Sequence, residues 1–315
     1  MEFNEFVEKV CKSVQEYMGE EVMVTINQVI KNNGICLEGM IIAEKDNNIS
    51  PTIYLNGYFE EYREGKIFSD IFNEIIQIYQ ESKVGKNINM DFFLDYKLVK
   101  EKIAYKIINY DKNLELLEQI PHMKYLDLAI VFYCLIISEQ FSGASITIHN
   151  SHLKMWNVTI EELFAQAKKN TPKLLHMEIK NMNQILNEML HENDANDIPE
   201  EWCEELNEEL NEQLSNRNEE NLPMYVLTNQ SKTNGATCML YDHVLEGFSI
   251  EVESDLYILP SSIHEVILIP TKDKRECDKF ANMVKEVNET QVEVEEVLSD
   301  HVYYFSRLGG EVSRL

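Results

Sequence analysis

Residues 222–270 read LPMYVLTNQSKTNGATCMLYDHVLEGFSIEVESDLYILPSSIHEVILIP. Short β-branched and aromatic runs alternate here with polar turns, and that order decides the fold class. Strands are expected over 224–228, 236–241, 256–259 and 265–269, since such runs bounded by turn formers suit pleated, buried chain. Asn234-Gly235 supplies the turn between the first two, because both residues accept a left-handed backbone. A helix of about two turns is expected from Asp242, at the usual 3.6 residues per turn. Pro260 ends one strand and opens a polar knot, Ser261-Ser262-Ile263-His264-Glu265. Downstream, Asp273 and Glu276 have capping-box spacing for a helix over 275–287, and 302–306 reads as a closing strand.

Upstream the composition changes abruptly. Residues 188–220 hold thirteen carboxylates against one basic residue, Arg217. Pro199 suits a first helical turn, and Trp202, Leu206, Leu210 and Leu214 then recur four apart on one face. Carboxylates crowding the other positions repel one another, so this helix needs something to cover its apolar stripe. The stripe is a docking candidate, either for the rest of the chain or for a partner. The segment 188–221 is read as an acidic helical connector between an N-terminal region, 1–187, and a C-terminal region, 222–315.

In the N-terminal region, Phe3, Phe6, Val7, Val10, Cys11, Val14 and Tyr17 fall at three- and four-residue spacing, an opening helix stopped at Gly19. Extended runs over 21–30 and 35–43 flank Lys31-Asn32-Asn33-Gly34, a hairpin turn. A short strand at 51–55 precedes a helix over 67–81, with Ser69 as its expected cap and Phe72, Ile75, Ile76 and Tyr79 inward. A helix is expected over 95–109, a buried strand over 125–138 and its antiparallel partner over 144–149. Thr159 and Glu162 form a capping box for the next helix. Hairpins with interspersed helices give an α+β fold with mainly antiparallel sheets.

The net charge of −27 in 315 residues repels phosphate backbones and anionic lipid, so non-specific nucleic-acid binding and membrane binding are disfavoured. The same charge suits a solvated surface, a docking face for a basic protein partner, or carboxylates that mimic a nucleic acid. Eleven glycines leave few places for a backbone to cradle phosphate. Six cysteines lie singly, with no paired spacing, which fits neither a zinc ribbon nor a disulfide scaffold. The opening MEFNEFVEKV has no signal-peptide character, and the longest apolar run, LAIVFYCLII, is half a membrane span. A cytoplasmic protein is expected.

Among the chemistry-bearing motifs, His264-Glu265 begins a zinc-protease string, but Leu268 stands where the second histidine belongs. Ser261, Ser262, His264 and Glu265 have triad chemistry by type, without the nucleophile elbow that presents such a serine. The ordinary role for them is hydrogen bonding across a turn between strands; the sharper one is a catalytic or ligand loop beside a rigid sheet. His149 and His152 have a one-turn spacing without a nearby cysteine or carboxylate, and a turn with Asn150 or Ser151 capping the next helix suits them better than a metal site. With Asn229, these residues are the binding candidates. No nucleotide-binding signature occurs, and no cofactor or metal site is expected.

LDLAIVFYCLI, HNSHLKMWNVTIEELFAQAKKNTP, MYVLTN, NGATCMLY, YILPSSIHEVILIP and VNETQVEVEEVLSDHVYYFSR together resemble a bacterial domain-of-unknown-function family, DUF5688. The resemblance covers most of the chain from Tyr125 to Arg307. Tyr241-Asp242 departs from it, since relatives carry Tyr-Pro there. The resemblance implies no activity. On the residues, the first reading is a non-enzymatic binding or adaptor protein. The alternatives are a hydrolase or ligand-processing enzyme with His264 as acid or base and a serine as nucleophile, and an acidic nucleic-acid mimic.

Overall fold

The computed structural model describes residues 1–45, 50–82, 91–136, 144–185, 223–260, 262–272 and 277–315. The architecture is α+β with antiparallel sheets. The chain divides into two compact units, Met1–Tyr96 and Lys97–Leu315. The expected acidic connector, with Trp202, Leu206, Leu210 and Leu214, lies outside the described residues. So does the capping box expected at Asp273.

The first unit is one helix-backed sheet. Helix α1 (Phe3–Met18) is capped by Glu5, whose carboxylate accepts from the Glu2 amide at 3.1 Å. It ends where Gly19 takes φ +80°. Gln15 then ties the helix end to the next strand: its Nε2 donates to the Gly19 and Val22 carbonyls, and its Oε1 accepts from Val24 N. Strands β1 (Val22–Ile30) and β2 (Cys36–Glu44) form the expected hairpin, with Asn33 and Gly34 at positive φ. β3 (Thr52–Tyr54) extends the sheet beyond β2. Helix α2 (Leu55–Arg63) follows directly, and α3 (Phe68–Glu81) begins at an extended Ile67. Ser69 therefore lies inside the first turn and bonds Asp70, not the helix amides. Phe6, Val10, Val14, Met40, Ile42, Ile71 and Ile75 make the core. Tyr79 closes one side by donating to Glu44 at 2.7 Å, and burial, then that bond, push its hydroxyl up to about 12.

The second unit holds two sheets. In the four-stranded one, β6 (Leu128–Leu135) is central and almost wholly buried. β4 (Ile103–Asn109) runs along one edge of it, while β5 (His122–Tyr125) and β7 (Ser145–Thr147) share the other. The helix expected over 95–109 is corrected here. Short helices α4 (Asp91–Leu94), still in the first unit, and α5 (Tyr96–Val99) give way at Lys100–Lys102 to β4. Six of the seven β4 residues are buried, so no polar face marks the period, and Ile103, Tyr105, Ile107 and Ile108 favour the pleated form. Helix α6 (Leu114–Gln119) and α7 (Asn150–Trp156) precede the long α8 (Ile160–Leu174), whose Thr159–Glu162 capping box forms as expected.

An edge strand exposes unpaired backbone groups, and β4 has them satisfied by side chains. Tyr105 N donates to Thr171 Oγ1 of α8, and Ile107 N to Thr237 Oγ1. Asn170 donates to the Lys100 and Ile103 carbonyls. These bonds seal the edge.

The six-stranded sheet has the order β13-β12-β10-β11-β9-β8, every neighbour antiparallel. Its strands are β8 (Met177–Asn181), β9 (Tyr225–Asn229), β10 (Asp255–Leu259), β11 (Val266–Thr271), β12 (Tyr303–Ser306) and β13 (Glu311–Arg314). β8 and β9 come from either side of residues 188–221, yet pair from Met177↔Asn229 to Asn181↔Tyr225. Helices α9 (Val244–Glu251) and α10 (Cys277–Thr290) complete the unit. A second correction falls at 236–241, expected as a strand. Gly235–Leu240 is a buried 3-10 helix.

Candidate functional site

Gly235 explains both that 3-10 helix and the geometry of the polar knot. A β-carbon at this position would collide with Thr228 Oγ1, the His264 carbonyl and Asn229 N. Glycine is needed for close approach, since three chain segments meet there. Thr228 Oγ1 donates to the His264 carbonyl at 2.8 Å, and Ala236 N donates to the Ile263 carbonyl. The loop between β10 and β11 is thus clamped onto the end of β9.

His264 is the centre of the clamp. Its Nδ1 accepts from Asn234 N at 3.2 Å, and its Nε2 lies 3.3 Å from Glu296 Oε1. An imidazole that accepts at Nδ1 carries its proton on Nε2, the nitrogen that faces the Glu296 carboxylate. Both ring nitrogens are engaged. Ser262 is buried, and its Oγ accepts from His264 N at 3.0 Å, a local turn bond. Ile263 N reaches the Glu296 carbonyl, while the Glu265 carbonyl accepts from Ser262 N. Ser261 lies outside the described residues. Glu296 and Asn234, the two partners of His264, were not visible beforehand; nothing in VEVEEV distinguishes one glutamate as a histidine partner.

Asn229 is fully buried and organises the turn that follows it. It donates to the Thr233 carbonyl, and its Oδ1 accepts from Ser231 Oγ at 2.7 Å. Its backbone N lies beside Gly235, at the foot of the clamp that holds His264. Asn150, His149 and His152 form a separate cluster at the start of α7. Asn150 donates to the Glu118 carbonyl, and His152 Nδ1 accepts from His149 N at 3.0 Å. Burial, then the neighbouring His149, lower the affinity of His152 for a proton. The His152 ring stacks toward Trp156, with centroids 5.7 Å apart. One imidazole nitrogen is thereby spent on capping, and no group of three metal-ligating residues occurs among the described residues.

The remaining reactive groups are also held by the fold. Burial pushes the Cys238 thiol up to about 12 and the Cys134 thiol up to about 11, which suppresses the nucleophilic thiolate. Tyr241, raised by the same burial, donates to the Leu175 carbonyl. Asp127 is a buried carboxylate accepting from Ser299 Oγ at 2.6 Å and Tyr303 Oη at 3.0 Å. It fastens the β5–β6 turn to the strand end near the C-terminus.

Open space lies elsewhere, on the β8 side of the six-stranded sheet. A hollow of about 970 Å³ is lined by Met177, Ile179, Asn181, Tyr225, Phe248 and Glu251, with Gly247 among its other walls. A second hollow of about 420 Å³ shares Asp242 and His243 with it and adds Glu246 and Glu311. Among the described residues, neither is lined by lysine or arginine. Asp242 is paired with Lys168 at 2.7 Å. His243, at φ +64°, contacts Glu246 at 2.8 Å, which raises its proton affinity. Sequence reasoning missed this groove because its walls come from β8, β9 and α9, each unremarkable alone.

The chain belongs to DUF5688, a family of unknown function, whose model matches residues 3–307. No curated protein and no solved structure matches the chain.

Proposed function

We propose that this DUF5688 chain is a non-enzymatic binding protein of the cytoplasm that holds a protein partner on the groove beside β8. The observation that carries the reading is the engagement of both His264 nitrogens, one by a backbone amide and one by Glu296. A general base needs a free lone pair toward its nucleophile, and His264 has none to offer. Ser262, with its oxygen accepting from a backbone amide in a buried turn, is a poor nucleophile for the hydrolase alternative. Meanwhile the open hollow mixes apolar Met177, Ile179, Tyr225 and Phe248 with Asp242 and Glu251, a lining suited to recognition. The five cysteines among the described residues are free thiols, as a reducing compartment maintains them. No helix among the described residues is long and apolar enough to cross a membrane.

The test is affinity purification of the wild type beside a folded His264→Ala, Glu265→Ala variant. Binding at the groove predicts the same protein partner from both in similar yield. A partner or small molecule lost only from the variant would move function to the loop. No partner from either would sink the binding reading. The mimic alternative rests on residues 188–220, and partner release at high salt, where carboxylate–cation contacts are screened, would favour it.

A further inference from the structure

Three observations converge on the edge of β8. The first is backbone parity. Met182 N donates to the Met224 carbonyl and Gln230 N to the His176 carbonyl, so residues 176, 178, 180 and 182 face β9. The amides and carbonyls of Met177, Ile179 and Asn181 therefore point away from the sheet. β8 is the last strand in the sheet order among the described residues, and those three residues line the larger hollow. Unlike β4, it has no threonine or asparagine side chain bonded along its outward edge among the described residues.

The second observation is Gly247, inside helix α9 and facing the same hollow. A helical glycine costs about 1 kcal/mol against alanine. Packing does not require it: a β-carbon there would meet nothing within 4 Å, and its φ is not left-handed. Its absence of a side chain leaves the space opposite β8 clear. The third is charge. Glu251 and Glu311 line the hollows beside Asp242, which Lys168 pairs, and Glu246, which His243 contacts; among the described residues no lysine or arginine is in either lining.

We infer that β8 accepts an extended, basic peptide segment of a partner protein as an added strand, laid between the outward edge of Met177–Asn181 and the Gly247 face of α9. Strand addition draws affinity from main-chain hydrogen bonds and specificity from alternate side chains. Apolar residues of the peptide would meet Ile179, Tyr225 and Phe248, and its lysines or arginines the carboxylate walls. This inference rests on the binding reading and names its partner chemistry.

The experiment uses the full chain and a labelled peptide of alternating lysine and valine. Its controls are the glutamate–valine counterpart and two versions N-methylated on alternate amides. The wild type should bind the lysine peptide and not the glutamate one. Only one of the two methylated sets should abolish binding, since only one row of amides faces β8. Gly247→Leu fills the groove without touching the ladder, and Ile179→Pro removes one outward amide; each should weaken binding by about tenfold or more, the worth of one hydrogen bond or a blocked contact. Gly247→Leu should keep or raise the thermal midpoint, which separates blocking from unfolding. Equal binding by both variants, or by both methylated peptides, would overturn strand addition. A concentration-dependent dimer lost in Ile179→Pro would make the occupant a second copy and overturn the basic-peptide assignment. Slow amide exchange at Ile179 in the free chain would mean that the edge is already occupied, with the same consequence. A protein partner still retained by Gly247→Leu would remove strand addition and leave the binding reading standing.

Discussion

The loop around His264 and the edge of β8 belong to the same six-stranded sheet and have opposite characters. The loop carries every residue type that suggests catalysis, yet its polar atoms are spent on neighbours: Asn234, Glu296, Thr228 and Ser262. The β8 edge carries no suggestive residue, yet its main-chain groups at Met177, Ile179 and Asn181 point outward beside open space. The difference teaches that chemical type in a sequence measures potential, while hydrogen-bond accounting in the fold measures what remains available.

The comparison can be broken by substitution. Gly235→Ala should have the largest effect, destabilising the chain by about 3 kcal/mol in urea unfolding, because backbone and threonine atoms cannot give way to a β-carbon. A tolerated alanine would mean that the clamp is looser than the geometry implies. Asp127→Asn should cost about 2 kcal/mol, as two hydroxyls lose a charged acceptor. Next, His264→Ala should cost about 1 kcal/mol while peptide affinity at the groove stays unchanged. A fall in affinity with the fold intact would erase the distinction between loop and groove.

The smallest effect concerns pH. Glu246 raises the proton affinity of His243 in the folded chain, so the contact contributes stability below the ordinary histidine value and loses it as pH rises through the elevated one. The pair is exposed, and the change in thermal midpoint should be slight. His243→Asn keeps a residue suited to φ +64° and should flatten that slope. A slope unchanged by the substitution would assign it to other groups.

Much of the fold was legible where one physical signal acted alone. The α1 stripe, the Asn33-Gly34 hairpin, the Thr159–Glu162 capping box and the strands at 255–259 and 266–271 all follow local rules. Reading failed where tertiary contact overrode them. β4 lost its strand signature because both faces are buried. The 3-10 helix at 235–240 exists because Gly235 is pressed against two other segments, which no local pattern encodes. Ser69 missed its capping role by the position of an extended Ile67. The clamp was half legible: Ser262 and His264 do meet, but Glu296 and the backbone of Asn234 decide what His264 does, while the Asn229 side chain serves its own turn. The groove was illegible, since the place of β8 at the end of the strand order among the described residues is a property of neighbours.

Asp127 has a consequence in time. As the chain is synthesised, the β5–β6 turn emerges with a carboxylate whose two hydroxyl partners are 172 and 176 residues further along. Until Ser299 and Tyr303 leave the ribosome, that carboxylate has only water, and the turn cannot be buried. The first unit's core cluster, from Phe6 to Tyr79, draws among the described residues on nearby sequence alone. Translation therefore lets the first unit settle early while the second waits for Ser299 and Tyr303, the interval in which chaperones have most to guard.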